Sequence, residues 1–455
     1  MNITYHISCA DAQIFLVFYP YLSIFIYFRM FINYCEREDL HMYKCNSRRL
    51  QELIEQFSQF GATENGGVTR LSLSNEDVLA RNYFCECCEE LGMEIKIDDM
   101  GNIYGVLPGK KDVPPIVLGS HLDSVEKGGK FDGVLGVLTA IEAIRTIKEN
   151  DIELDIPLMI VNFTNEEGAR FDPAMMSSGV ITSKFEKEKM LQSTDKNGIR
   201  FEEALRASGY EGEQENRLNE ALAYLELHIE QGPVLEAMKH EIGVVEGVLG
   251  MVCYEITVTG QSNHAGTTPM SMRQDPMIVA STIITELHDQ LGKIDEQLVY
   301  TFGRMNVSPN IHTVIPNTVT FTIDSRHQKA EVMQRVEDIL KALPTKLEGC
   351  SIRPVKLWSR DTVYFDAAIC KEVESACQSF GYSAHRMFSG AGHDAQYMAS
   401  MIPSAMIFVP SIQGRSHCEE ERTSFEDCAK GADILLETVL TLQSKFNMDE
   451  TYTLH

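Results

Sequence analysis

The run from Ile116 to Val137, IVLGSHLDSVEKGGKFDGVLGV, constrains this chain more than any other stretch. It opens on Ile116 to Leu118, an apolar run short enough for a buried strand, and the strand is predicted to stop at Gly119-Ser120. His121 and Asp123 then fall at the carboxyl edge of a parallel sheet, where sites collect in α/β folds. A glycine-rich loop leads to Asp132, and a helix is predicted from Gly133 through Ile147. An imidazole, an acid two residues on and a further acid in the next loop resemble the start of a metal site. Zinc takes His nitrogen and carboxylate oxygen, and Asp123 could hold the second ring nitrogen of His121. Taken alone, an HxD more often contains a structural histidine, so the reading depends on ligands from elsewhere in the chain.

Other strand ends supply candidates. Leu158 to Phe163 reads as a buried strand ending in Thr164-Asn165-Glu166-Glu167-Gly168. Neighbours on an ideal strand face opposite ways. Glu166 and Glu167 can therefore share a site only if the chain has already left the strand, which Asn165 and Gly168 permit. In Ala223 to Gly232, AYLELHIEQG, His228 lies within an alternating strand pattern. His417 follows a late strand, Ala405 to Val409. Acids at strand ends often cap helices, and a histidine within a strand is often structural. His121, Asp123, Asp132, Glu166, Glu167, His228 and His417 all within one sheet topology favour metal.

Helical spacing recurs over Arg48 to Phe60 and Asn75 to Leu91, and a polar helical region is predicted for Ser183 to Ala207. Strands are predicted at Glu94 to Ile97 and Asn102 to Leu107. Alternating strands and helices point to an α/β sheet. From Gly250 the pattern changes to strands Val252 to Val258, Leu298 to Met305 and Thr318 to Asp324, with helices Pro276 to Leu291 and Ala330 to Ala342. These read as an α+β insert with one exposed sheet face. The earlier character returns near Tyr364 with helices Ala367 to Phe380 and Cys428 to Phe446. The predicted domains are thus 42–248 with 364–455, and an insert over 249–363; Gly247 and Gly250 fall where a hinge between them would lie.

The 455 residues suffice for two to three domains. The net charge of −26 argues against a general nucleic-acid or anionic-membrane binder. An anionic substrate would need a local cationic pocket. Twelve cysteines show no zinc-ribbon spacing and fit free thiols in a reducing cytoplasm. Cys85, Cys87 and Cys88 cluster on a predicted helix. Residues 1–41 differ from the rest: Ile14 to Ile32 is rich in Phe, Tyr, Ile and Leu. They fit a mis-assigned start, with Met42 the working one, or a dispensable extension; a membrane anchor is the alternative, disfavoured by Pro20 and the short uncharged run.

GSHLDSVEKGGKFDGVLGV, NFTNEEGARF, ELHIEQGPVLE, GQSNHAGTTPMSMRQD, FTIDSRH, SGAGHDA and SHCEEE resemble the zinc-dependent amidohydrolases of the M20 peptidase superfamily. HIEQGP with SGAGHDA is specific to the branch of N-carbamoyl-L-amino acid hydrolase, β-ureidopropionase and allantoate amidohydrolase. The resemblance runs from about Met42 nearly to the C-terminus. It implies an α/β catalytic domain with a mixed central sheet flanked by helices, and an inserted α+β lid or dimerisation domain.

The resemblance also implies two divalent metal ions: zinc first, with manganese, cobalt or nickel also suited to these ligands. His121 and His228 would serve one ion, Glu167 and His417 the other, and Asp132 would bridge. Asp123 would orient His121, and Glu166 would be the general base. A non-proline cis peptide after Asp132 is implied as well. Arg326 matches a carboxylate-binding arginine, and arginine can grip a carboxylate in bidentate fashion. Gln231 and Gly392 match substrate contacts. His264 matches a residue that stabilises the oxyanion, reaching in from the neighbouring subunit in dimeric relatives, so a homodimer is implied. Relatives carry Asn where this chain has Thr313, with Asn310 and Asn317 nearby, which bears on substrate identity. The implied reaction is metal-dependent hydrolysis of a ureido or amide C–N bond, of N-carbamoyl-L-amino acids first and allantoate second. The rivals are an M20 dipeptidase or aminoacylase, and a non-catalytic binding protein of the same fold.

Overall fold

Apolar strands just long enough to be buried on both faces, separated by helices, must stack into layers. A computed structural model describes residues 42–448, and from Lys44 on they belong to one compact unit. The segment Ile14 to Ile32 lies outside the described residues. Among the described residues no helix is long and apolar enough to cross a membrane.

The chain first lays down β1 (Glu94–Ile97), β2 (Ile103–Leu107), β3 (Ile116–His121), β4 (Leu158–Phe163), β5 (Ala223–Ile229) and β6 (Ile242–Val248). It then builds a separate sheet from β7 (Gly250–Thr259), β9 (Val299–Ser308), β11 (Thr318–His327), β12 (Lys346–Leu347) and β13 (Cys350–Arg360). Between these, β8 (Asn263–His264) and β10 (Val314–Ile315) pair as a small ribbon. The chain returns to the first sheet with β14 (Val363–Tyr364), β15 (Ala384–Ser389) and β16 (Ser404–Val409).

The first sheet has the order β1-β2-β4-β3-β5-β16-β6-β14, with β15 beside β6. Its centre, β4-β3-β5-β16, is parallel, while β2 and β6 run against it, so the sheet is mixed as expected. β3 and β5 are buried along their whole length. Helix Val134–Glu149 lies on them, with helices Ser47–Phe57 and Phe425–Met448 packed against it. That helix buries residues all round, the signature of one enclosed between layers. Its buried Glu142 accepts from Arg49 and from the Asn46 N–H, pinning the first helix.

In the second sheet, β7 runs between β11 and β13, and helices Pro276–Leu291 and Ala330–Lys341 cover one face. Val252, Ile256, Val258, Ile283, Leu287 and Phe321 form that core. The alternate residues, among them Met251, Arg326 and Arg360, face the other way, since side chains on a strand alternate.

Some expectations shift. β3 does not stop at Gly119-Ser120 but runs on to His121. Gly119 makes this possible at φ +145°, where a Cβ would sit 2.0 Å from the Val161 carbonyl oxygen of β4. The region Ser183 to Ala207 is two short helices, Lys187–Leu191 and Phe201–Ser208, not one. Asp195 breaks it, accepting from the Asn197 and Ile199 N–H groups to close a turn at Gly198. β6 and β15 have no counterpart among the strands the sequence predicts. Gly247 is paired with Tyr364 there, where a Cβ would strike the Val363 carbonyl, so it serves close strand approach. The Cys85–Cys88 cluster lies on helix Asn75–Glu90, with its thiols raised by burial.

Gly119→Ala is expected to destabilise the protein by about 3 kcal/mol or more, because backbone oxygen rather than a movable side chain occupies the space. Urea unfolding of both proteins measures this; a loss below about 1 kcal/mol means the β3–β4 approach is not fixed by this glycine.

Candidate active site

The parallel register of β3, β4 and β5 brings their carboxyl ends to one edge, and there the separated sequence segments meet. His121 ends β3. Its Nδ1 lies 2.9 Å from the Asp123 carbonyl oxygen, an acceptor, so Nδ1 carries the proton and Nε2 faces inward with its lone pair. His228 on β5 repeats the arrangement: Nδ1 is 2.9 Å from the Ile229 carbonyl, and Nε2 is 3.2 Å from Asp132 Oδ1.

Asp132 stands between two groups. Its Oδ1 lies 3.9 Å from His121 Nε2, and its Oδ2 lies 3.3 Å from His417 Nε2. His417 Nε2 is in turn 3.4 Å from Glu167 Oε2. The donor atoms of His121, Asp132 and His228 all lie within 4.8 Å of one another, and so do those of Asp132, Glu167 and His417. Glu167 Oε1 is buried with no hydrogen-bond partner. Two nitrogen/oxygen triads sharing one carboxylate, with an unsatisfied oxygen among them, fit two divalent cations. A third cluster, Glu226, His228 and His393, lies behind the first, but Glu226 is already engaged by Ser120, Tyr224 and the Ala395 N–H.

Glu166 and Glu167 both reach the site because the chain turns out of β4 at Asn165, φ +61°, and again at Gly168, φ +66°. Glu166 Oε2 is 3.5 Å from His121 Nε2. The Asp123 carboxylate accepts from the Glu166 and Glu167 N–H groups at 3.2 and 3.3 Å, while its Oδ1 is 3.8 Å from the His121 ring. Asp123 thus orients the histidine through its carbonyl and holds the double-glutamate turn through its carboxylate. His417 adopts φ +54°, a left-handed conformation uncommon for histidine. Cys418 is half-buried and joins none of the ligand groups among the described residues. The Asp132–Gly133 peptide is not cis; the cis bonds among the described residues are Asp172–Pro173 and Ser308–Pro309. Gly133 instead turns the chain at φ +68° and places its N–H 3.1 Å from His228 Nε2. A Cβ there would lie 2.2 Å from the His121 ring.

The site drives its titrating groups apart. Burial would raise Asp132, but hydrogen bonds from His228 and His417 outweigh it and hold the carboxyl well below its usual range. Burial pushes Glu166 well up, and Asp394, Glu167, Asp123 and Asp132 add to this. Glu167 rises for the same reasons, burial first and then Asp132. His121 falls to about 4 through burial, whereas Asp132 overcomes burial at His228 and lifts it to about 9.

Gln231 donates to Asp132 Oδ2 at 2.7 Å, leaving its own Oε1 buried and unpartnered. Arg326 spans from β11 to the glycine-rich loop, Nη1 bonding the Gly390 carbonyl at 2.7 Å and Nε bonding Asp324 at 2.8 Å. Gly392 in that loop lets Arg360 close in: a Cβ would meet its Nη1 at 2.5 Å. His264 pairs with Val314, and the Ala265 N–H bonds the Thr313 carbonyl at 3.0 Å. His264 and Thr313 are therefore together on one exposed ribbon, and Asn310 is exposed in the loop that leads into it. Among the described residues, no hydrogen bond or ion pair joins that ribbon to the His121–His417 group.

Several residues of the site were not legible in the sequence. Glu421 accepts from the Phe131 and Asp132 N–H groups at 3.1 Å and from Ser416, fixing the loop that carries Asp132. It lies in SHCEEE, but nothing local separates the buried third glutamate from Glu419 and Glu420. Arg70 is fully buried and binds the carbonyls of Leu122, Phe57 and Phe60, holding the chain between His121 and Asp123. No motif marks it.

Residues 117–441 match Peptidase family M20/M25/M40. An N-carbamoyl-L-amino-acid amidohydrolase of Rhizobium meliloti is 38% identical over 403 residues, covering 87% of this chain and 96% of the relative. An allantoate amidohydrolase of Bacillus subtilis is 35% identical, covering 86% of this chain and 97% of the relative. A crystal structure of a hydantoinase/carbamoylase family amidase from Burkholderia multivorans superposes with a TM-score of 0.85 at 38% identity, over 88% of this chain and 98% of that one.

Cation binding is expected to release protons at pH 7, because His228, lifted to about 9, holds a proton that a cation must displace. Calorimetry in buffers of different ionisation enthalpy counts them. The count should fall as the pH rises through about 9, where His228 is already deprotonated. In the metal-free protein the raised His228 stabilises the fold below pH 6.5, and that contribution is lost as the pH rises through about 9. A release near zero at pH 7 would mean that the cation binds elsewhere.

Proposed function

Because the chain belongs to peptidase family M20/M25/M40 and is an amidohydrolase acting on C–N bonds other than peptide bonds, we propose that it hydrolyses N-carbamoyl-L-amino acids, with allantoate the second choice. The observation that carries this is Asp132, whose two oxygens face two donor sets while the raised carboxyl of Glu166 stands beside them. His121, His228 and Asp132 would hold one divalent cation, and Asp132, Glu167 and His417 the other. Zinc suits the set best, and manganese, cobalt and nickel also suit it.

When bound, such cations supply a water of lowered pKa and polarise the scissile carbonyl. The remaining steps belong to side chains. Glu166 takes the proton of the attacking water, and its environment supplies the needed basicity: burial and four neighbouring acids resist its charge, while the cations oppose that lift. The same carboxyl then hands the proton to the leaving nitrogen. Asp123 keeps Glu166 and Glu167 in register through their N–H groups. Arg326 takes the substrate carboxylate in bidentate fashion, and Gly392 and Gln231 make further substrate contacts. For a carbamoyl substrate and one water, the products are the amino acid, CO2 and ammonia.

His264 stabilises the oxyanion in the neighbouring subunit, with Thr313 and Asn310 reading the polar end of that substrate. The exposure of all three, apart from their own cluster, supports this. The active form is then a homodimer, in which residues 249–363 serve as lid and dimerisation domain and 42–248 with 364–455 as catalytic domain. The ten free cysteines among the described residues support a cytoplasmic setting.

Ammonia release from N-carbamoyl-L-amino acids, N-carbamoyl-β-alanine and allantoate tests the reading with metal-loaded protein. Glu166→Gln should lose at least about 100-fold in kcat with both metals retained. Co-folded Glu166→Gln and His264→Ala chains should regain about a quarter of wild-type turnover, because half the dimers are mixed and each has one complete site. If the mixture stays as inactive as its parents, His264 does not act across the dimer.

A further inference from the structure

Arg360 is the cation near the site to which the reaction above gives no task. Register places it: Arg326 on β11 and Arg360 on β13 each pair with Met251 of the intervening β7. Residues directly opposite one another across antiparallel strands project to the same face. Two arginines therefore stand on one face, two strand spacings or about 10 Å apart at their Cα atoms, a gap that two long side chains can close onto one small molecule.

Both guanidiniums reach the loop that enters the site. Arg326 Nη1 donates to the Gly390 carbonyl at 2.7 Å, and Arg360 Nη1 donates to Gln396 Oε1 at 2.7 Å while packing on Gly392. Their charges are balanced differently. Arg326 has Asp324 at 2.8 Å. Arg360 is half-buried and has no carboxylate within salt-bridge distance among the described residues; its contacts are the neutral Gln396 and the Met251 sulfur. Burial pulls its pKa below the usual arginine range and Arg326 adds to that, while Tyr397, Glu166 and Asp324 pull the other way. A partly buried, unpaired cation beside a second cation is costly unless an anion joins them.

We propose that Arg360 binds a second carboxylate on the substrate, making the preferred substrates N-carbamoyl derivatives of acidic amino acids. Arg326 takes the α-carboxylate and Arg360 the side-chain carboxylate. This rests on the ureido reading above and narrows it. In a chain of net charge −26, a dianion has particular need of such a pair.

Calorimetric titration of the metal-free full chain, in which nothing is turned over, compares N-carbamoyl-L-glutamate, its neutral isostere N-carbamoyl-L-glutamine, and glutarate. The wild type should bind the glutamate derivative at least about tenfold more tightly than the glutamine derivative, the scale of one charge-assisted hydrogen bond. Arg360→Met should bring that ratio to about one without weakening the glutamine derivative, and Arg360→Lys should keep part of it. Arg360→Gln provides the same reading should the Met variant not fold. A wild-type ratio near one, or a preference that survives loss of Arg360, overturns the proposal. If neither carbamoyl ligand binds but glutarate does, and does so through Arg360, the dicarboxylate subsite stands and the ureido reading falls. Absence of binding by all three removes both.

Discussion

One carboxylate, Asp132, holds the carboxyl edge of the central sheet together. Two histidines from parallel strands converge on its Oδ1, and a histidine from a loop nearly three hundred residues later approaches its Oδ2. Gln231 and Ser416 bond that same Oδ2, and Glu421 fixes its backbone N–H. A buried carboxylate is costly unless its lone pairs are used. Here the approaches come from three separate segments, so satisfying Asp132 and assembling the site are the same event. Its low pKa expresses this: the partners together outweigh the burial that would otherwise keep it protonated.

The surroundings shift neighbouring carboxyls in opposite directions. Asp132 gains histidine partners and stays ionised, whereas Glu166 lies among other carboxyls and is pushed up. Separating the pKa values of neighbouring acids is a general route to acid–base chemistry near neutral pH. The aspartate at His+2 contributes to both. It fixes the His121 ring through a carbonyl and the Glu166–Glu167 turn through two N–H bonds. Burial brings Asp123 itself to about 7, with Asp77 adding to it.

Rigidity behind the edge comes from buried polar residues. Arg70 ties three carbonyls together, including that of Leu122 between His121 and Asp123. Arg81 links Asp77, the Gly101 carbonyl and Thr164, so the helix Asn75–Glu90 is fastened to the end of β4. A buried arginine that satisfies several carbonyls restricts how those segments can move, and a catalytic geometry needs that restriction. Glycine does the complementary work where segments must approach closely, at Gly119 between β3 and β4 and at Gly133 under the His121 ring.

Much of this was legible in the residues alone. Short apolar runs ending in His or acidic residues fix strands and the edge at which they end, because burial on both faces demands continuous apolar sequence. The helices Pro276–Leu291 and Ala330–Lys341 declared themselves by their period, and His121 and Glu167 by their place at or just past a strand end. Tertiary structure alone decided the rest. Nothing local tells Glu421 from its two neighbouring glutamates, or marks Arg70 as buried, since burial depends on which distant segment covers a residue. Strands β6 and β15 gain their identity from pairing with each other, and Ser183 to Ala207 loses a continuous helix to one aspartate turn. Arg360 reads as an ordinary strand-end cation until the register of three strands sets it beside Arg326. Local periodicity is a property of a segment, whereas charge balance and burial are properties of the assembled chain.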